Sequence, residues 1–255
     1  MSENKRLAVV ILTKNEEKHI AACMASAAFA DEILVIDSGS TDGTQAIAEA
    51  HGARFIPHPM TDEGFAGQRN FALTQTQADW VLYLDADERI TPELAASVQA
   101  VVAGEPTMAY CLHRVNVVFG QTMYHGAHRP DRCLRLFPRT QVTWHGRVHE
   151  GAQTPLHTQL LTGNLLHHTY DTWQQYFTKF NHYTTLAAES YYASGRRISR
   201  GTVVAHSLFA FLRNYILHLG FLDGFLGLVM SLAASFYTMT KYLKAINTYR
   251  LQEKK

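Results

Sequence analysis

Residues 80–87 read Trp-Val-Leu-Tyr-Leu-Asp-Ala-Asp (WVLYLDAD), an apolar run that ends on two carboxylates. A run this continuous predicts a strand covered on both faces, as in parallel sheets. Alternation along an extended chain puts Asp85 and Asp87 on one side. Carboxylates that close repel each other, and burying them is costly unless a cation compensates. A hard divalent ion, Mg²⁺ or Mn²⁺, is the natural partner, with phosphates and water filling its other positions. An isolated DxD also has a blander reading, a solvated strand-to-helix turn, so its position and neighbours must decide.

Working outward, Leu7–Thr13 (LAVVILT), Glu32–Asp37 (EILVID) and Arg54–Pro57 read as three further strands. Helices are predicted over 16–29, 44–51, 66–77 and 92–103, the last with Pro92 near its first turn. Strands alternating with helices define an α/β fold with a parallel sheet, in which ligands bind beyond the carboxyl ends of the strands. Those ends carry Thr13-Lys14-Asn15-Glu16, Asp37-Ser38-Gly39-Ser40 and Asp85-Ala86-Asp87. The stretch DSGSTDGT (37–44) is a capped turn in one reading; in the other, Asp37 accepts hydrogen bonds from a base or ribose. Residues 109–170 change character, with β-like runs at 109–119, 133–137 and 142–148, and from Asp171 the pattern is helical.

With 47% hydrophobic and 18% charged residues in 255, the chain is globular rather than disordered. A net charge of +1 provides no global field for nucleic acid. The balance is uneven: residues 195–255 hold nine Lys/Arg against two acids, so the front is acidic and the back basic and apolar. Cys23, Cys111 and Cys133 form no CxxC pair and read as free thiols of a reducing compartment. The short apolar stretch at 7–12 lacks a signal peptide's cleavage site, so a cytoplasmic active face is expected.

ILTKNEE, VIDSGSTDGT and LYLDADE occur in the order and rough spacing of the family 2 glycosyltransferases, and over about the first 105 residues the chain resembles them. GQRNFAL (67–73), LDADER (84–89), LRLF (134–137), GRVHE (146–150) and GFLDGFLGL (220–228) extend the resemblance to bacterial lipopolysaccharide-core glucosyltransferases. No QxxRW motif of processive polysaccharide synthases occurs. The resemblance implies a GT-A (nucleotide-diphospho-sugar transferase, Rossmann-like) catalytic domain over 1–170. Residues 1–105 would bind the nucleotide sugar and 106–170 the acceptor, with a helical, membrane-associating region over 171–255. It further implies Asn15, Glu16 and Asp37 at the nucleoside, Thr13 among the donor-binding residues, Arg69 near the diphosphate or donor sugar, and Asp85, Ala86 and Asp87 at the donor and its metal. Ser38 stands where the family usually has a second Asp.

Transfer from a nucleotide diphosphate sugar needs charge stabilisation on the leaving diphosphate and a base for the acceptor hydroxyl. Glu150 is the first candidate base and Asp131 the second, and His149 is a candidate third metal or diphosphate contact. His145 and His149 are four apart, but the segment looks extended and HExxH is absent, which disfavours zinc. Arg132 and Arg135, from an Arg-crowded segment, are candidates for binding acceptor phosphates. The expected partners are a UDP-sugar and a lipid-linked saccharide; oligomeric state is left open. The implied reaction is inverting transfer of glucose to inner-core heptose, against another sugar or a polyprenyl-phosphate acceptor. Nucleotidyl transfer would require a Gly-rich loop where TKNEE stands, and a non-catalytic scaffold would not need the acid pair.

The uncharged run 224–240 has 17 residues, short of the roughly 20 a spanning helix needs. A helix lying in the interface or re-entering it fits better, with Lys241, Lys244, Arg250, Lys254 and Lys255 towards anionic headgroups at the inner face of the plasma membrane. The competing reading is a core helical hairpin or a dimer interface.

Overall fold

The computed structural model describes residues 5–146 and 150–252. The chain forms two compact units, residues 1–114 with 131–167, and residues 115–130 with 168–255. The second, largely helical unit takes the segment 115–130 together with residues 168–255.

The first unit opens with β1 (Leu7–Thr13), α1 (Ile20–Ser26), β2 (Glu32–Asp37), α2 (Thr44–Ala50), β3 (Arg54–Pro57), α3 (Gly64–Thr74) and β4 (Trp80–Asp85). The order β3-β2-β1-β4 is parallel throughout. All seven residues of β1 are buried, because side chains leave both faces of the sheet into separate cores. Val9 and Ile11 pack with Leu82, Leu84, Ile20 and Leu94. Val10 and Leu12 pack with Leu34, Ile36, Val81 and Tyr83. Continuous apolar strands were predicted for this reason.

Beyond β4 come β5 (Glu88–Ile90), α4 (Pro92–Val102), β6 (Ala109–Val118), β7 (Gln121–Met123), β8 (Asp131–Pro138), β9 (Thr143–His145), β10 (Gly151–Gln153) and β11 (Thr158–Tyr170). Strand β8 pairs antiparallel with β4 and with β6, and β11 antiparallel with β5. The sheet thus has a parallel half and an antiparallel extension, the α/β arrangement expected. Thr91 caps α4 and also bonds the Asn164 carbonyl, at 2.8 Å. Gly163 beside it has φ +93°, and a Cβ there would lie 2.3 Å from the Leu94 nitrogen. Both the dihedral and the close approach require glycine.

In the second unit, α5 (Trp173–Ala193) starts on a capping box of Thr172 and Gln175. Helix α6 (Arg200–Leu212) passes into a π turn (Arg213–Leu217), then a 3-10 turn (Gly220–Asp223) and α7 (Gly224–Gln252). Leu219 adopts φ +56°, which ends the helical run that starts at α6. Asp223, buried at this corner, accepts from the Tyr124 and His125 backbone nitrogens and meets the His125 ring at 2.8 Å. The Lys244 ammonium lies 2.8–2.9 Å from four oxygens of Asn181, Thr184 and Thr185. A Cβ on Gly227 would fall 1.9 Å from the Gly220 carbonyl oxygen. Gly227→Ala is expected to cost ~3 kcal/mol or more, because the obstacle is backbone and cannot rotate away. A thermal melt unchanged from the unsubstituted protein would contradict this packing.

Candidate active site

Strand register brings the chemistry to one edge. Thr13 pairs with Asp37 across β1 and β2, and Leu12 with Asp85 across β1 and β4. The loops beyond the strands are stitched together. Asn15 takes φ +57°, a conformation Asn tolerates better than most residues, and its side chain accepts from the Thr41 nitrogen at 2.7 Å. The Asn15 nitrogen donates to Ser40 Oγ and the Glu16 nitrogen to Thr44 Oγ1, both at 2.8 Å. Asp37 is 4% exposed, and its Oδ2 accepts from the Gly39 and Ser40 nitrogens at 2.9 and 2.8 Å. The DSGSTDGT segment is therefore a turn closed on its own Asp and also the partner of the loop after β1. Helix α1 begins at Ile20, four residues later than predicted: the Glu16 and Glu17 nitrogens donate to Thr44 Oγ1 and Asp42 Oδ2, and residues 17–19 form a turn ahead of it. Among the described residues Thr13 Oγ1 is buried without a hydrogen-bond partner. A buried orphan hydroxyl is costly unless a ligand or water satisfies it.

Beside this edge, seven charged side chains alternate in sign. Asp131 holds Arg114 through both oxygens, at 2.7 and 3.0 Å. Arg114 lies 3.6 Å from Glu88, and Glu88 lies 3.3 Å from Arg135. Arg135 reaches Asp85 Oδ2 at 2.7 Å, and Arg69 reaches Asp85 Oδ1 at 2.9 Å. The other end nitrogen of Arg69 pairs with Glu150. Arg69 comes from α3 and is 2% exposed, with its guanidinium 4.7 Å from the Trp144 ring centroid. Each guanidinium in this chain therefore sits between two carboxylates. The two candidate bases, Glu150 and Asp131, occupy its ends.

Asp87 stands apart. The strand stops at Asp85 and the chain turns at Ala86–Asp87, so alternation does not present the two acids as predicted. Asp85 faces two arginines, whereas Asp87 meets the His167 ring at 3.4 Å. Among the described residues no group of three or more His, Cys, Asp or Glu is gathered as a metal site; the candidate ligand His149 lies outside them. The charges nevertheless suit a divalent ion. Four carboxylates alternate with three guanidiniums along the chain, and Asp87 adds a further hard-oxygen donor beside them, so acids outnumber the arginines that pair with them. One or two carboxylates plus substrate phosphates are the usual holders of Mg²⁺.

Arg135 is 6% exposed and engaged with Asp85 and Glu88, which places it inside this cluster, whereas Arg132 is exposed. Ala86 is buried, at 3% exposed. Sequence reasoning missed Glu88, which is fully buried and accepts from the Asp85 nitrogen at 2.9 Å. Its signal lay within LDADER, where an acid before a helix reads as a capping residue. Arg114 carried no local signal, since the β6–β8 register alone sets it opposite Asp131.

Burial pushes Asp85 up, but Arg135 and Arg69 outweigh it and hold the carboxyl well below the usual carboxylate range. Its pairing therefore stabilises fully above the unfolded value near ~3.9 and is lost as pH falls through the lower folded one. Asp85→Asn is expected to flatten the acid limb of the stability–pH curve below about pH 4. Urea titrations of both proteins at several acid pH values measure this, and parallel curves would contradict it. Glu88 is shifted the other way, raised by burial with Arg135 opposing. Asp131 is lowered overall: burial raises it, and the Arg114 bonds prevail.

Residues 8–184 match the family model for glycosyl transferase family 2. The chain belongs to that family. This family 2 transferase is 28% identical, over 255 aligned residues, to a lipopolysaccharide core biosynthesis glycosyltransferase of Rhizobium meliloti, with 96% of this chain and 94% of the relative covered. It is 26% identical to an uncharacterized glycosyltransferase of Rickettsia prowazekii, covering 94% and 86% of the two chains. It is also similar to the solved glucosyl-3-phosphoglycerate synthase of Mycobacterium tuberculosis, at 25% identity over 44% of this chain and 43% of that one. The TM-score there is 0.37, a looseness that carries no inference about ligands. Membership in family 2 agrees with the GT-A α/β fold expected from the motifs.

Proposed function

We propose that this glycosyltransferase moves glucose from UDP-glucose to a heptose of a lipid-linked core saccharide, with inversion, at the cytoplasmic face of a membrane. The observation that carries the reading is the single Arg69 guanidinium holding both Asp85 and Glu150. It puts a donor-end carboxylate and a candidate base on opposite ends of one rigid fork. Thr13, Asn15, Glu16 and Asp37 are assigned to the nucleoside, and Arg69, Asp85 and Ala86 to the diphosphate and sugar. Asp87, with Asp85 and His149 as further candidates, would hold Mg²⁺ or Mn²⁺, which when bound neutralises charge on the leaving diphosphate. The acceptor oxygen bonds to the anomeric carbon as the bond to the diphosphate breaks, and Glu150 receives the hydroxyl proton. Asp131 is the weaker base of the two, because both its oxygens are engaged by Arg114. Exposed Arg132 is assigned to acceptor phosphate, and Arg135 to keeping Asp85 in place. The Rhizobium relative named for lipopolysaccharide core biosynthesis supports the acceptor class.

Membrane association is read from the helical unit. Residues 220–251 are long and apolar enough, by length and composition alone, to cross a membrane. Phe225 is 81% exposed, Leu217 65% and Leu222 57%, large apolar side chains close in sequence at the turns leading into α7 and in its first turn. Replacing Leu217, Leu222 and Phe225 together by Ser is expected to release the protein from anionic vesicles in a flotation assay. Retention of the triple variant on the vesicles would contradict this docking mode.

The function is tested by supplying UDP-, GDP- and ADP-sugars with heptose-bearing lipid A and measuring nucleotide diphosphate release. UDP-glucose with that acceptor is expected to give the fastest release. Equal release with a polyprenyl phosphate, or with no acceptor, would overturn the assignment.

A further inference from the structure

The helical unit contains a cavity of about 330 Å³ between the 3-10 turn at 126–128, α5, the π turn and α7. Its walls are aromatic, with Tyr176, Tyr183 and Tyr237 prominent, and its charged groups are Arg129, Arg213 and Lys241. Among the described residues lining it, none is acidic. Arg129 Nη1 lies 3.1 Å from His218 Nδ1. Arg213 lines the same cavity as Arg129, so both cations face one space. Among the described residues neither arginine has an ion-pair partner in the helical unit. Cations brought together without a counter-charge repel, and an anion between them relieves that repulsion. Arginine forks match the oxygens of a phosphate, and ring faces beside them fit the apolar face of a sugar, with Tyr hydroxyls for its polar edge. A volume near 300 Å³ is at the small end for a ligand pocket, suited to one monosaccharide-sized group.

We propose that this cavity binds a phosphorylated sugar, with Arg129 and Arg213 on the phosphate and the Tyr183 and Tyr237 rings against the sugar. The site lies wholly in the helical unit and stands independently of the transfer reaction proposed above. Lys241, 5.9 Å from the Tyr237 ring centroid and 5.1 Å from that of Tyr242, is held at the wall by cation–π contact and adds a third positive charge.

The test is calorimetric titration of the full chain with glucose 1-phosphate, with excess UDP present to occupy the donor end. Glucose, inorganic phosphate, and phosphatidylglycerol or phosphatidylcholine vesicles are titrated separately. Glucose 1-phosphate is expected to bind at least ~10-fold more tightly than glucose or phosphate alone. Arg129→Gln with Arg213→Gln is expected to weaken it by ~10-fold or more, and Tyr237→Ala by several-fold. The paired Arg→Lys variant should recover part of the loss, which separates loss of charge from loss of fold. Unchanged binding by the paired Gln variant would overturn the site. So would inorganic phosphate binding as tightly as the sugar phosphate, which would leave only an anion spot. Binding to phosphatidylglycerol vesicles without binding of glucose 1-phosphate would assign these cations to the lipid surface and also overturn it.

Discussion

Replacing Arg69 by Met is expected to abolish transfer and to lower stability by ~3 kcal/mol. The guanidinium is buried and links Asp85 to Glu150, so its removal leaves two carboxylates facing each other beside a third, Glu88, that is fully buried. Breaking a buried pair from one side costs roughly 3–5 kcal/mol. The lower end applies here, because the side chains of Asp85 and Glu150 are 34% and 23% exposed and water shields them in part. For a chain of this size that loss corresponds to a fall of about 6–12 °C in Tm. Arg69→Lys should restore charge but not the two-sided fork, so stability should recover more than activity. Calorimetry together with nucleotide diphosphate release reads both effects. Full activity in Arg69→Met would show that the linkage is incidental.

Asp87→Asn is expected to behave differently, losing about 10²–10³ in kcat/KM with little change in stability. Asp87 is half-buried, and the ion pair recorded for it is with His167, so its amide fits the same space. The loss falls on whatever the carboxylate holds during transfer. Steady-state kinetics with UDP-glucose and a melting curve on the same preparation distinguish this from unfolding. A variant within about threefold of the original would remove Asp87 from the site.

The strands of the parallel half were legible residue by residue: β1 to β4 have the predicted limits because strands buried on both faces leave an unbroken apolar run. The antiparallel half was not. Strand β11, TQLLTGNLLHHTY, mixes exposed and half-buried positions and is interrupted by Gly163, so no period-two pattern announces it. The short strands β5, β7 and β10 have three residues each, too few for a pattern to register. In the candidate site, the strand-end acids were visible locally, since motif and strand coincide. The alternating charges from Asp131 to Glu150 were not, because each link depends on register or on a side chain arriving from another element. Arg114 meets Glu88 only through the sheet, and Arg69 meets Asp85 only through α3.

Binding of UDP to the unsubstituted protein, followed by calorimetry with Mn²⁺, with Mg²⁺ or with EDTA, addresses the carboxylate cluster most directly. Its excess of negative charge predicts that a divalent ion tightens UDP by at least ~10-fold, about 1.4 kcal/mol, and that Asp87→Asn removes the gain. UDP bound as tightly in EDTA as in Mn²⁺, with Asp87→Asn indistinguishable, would contradict it.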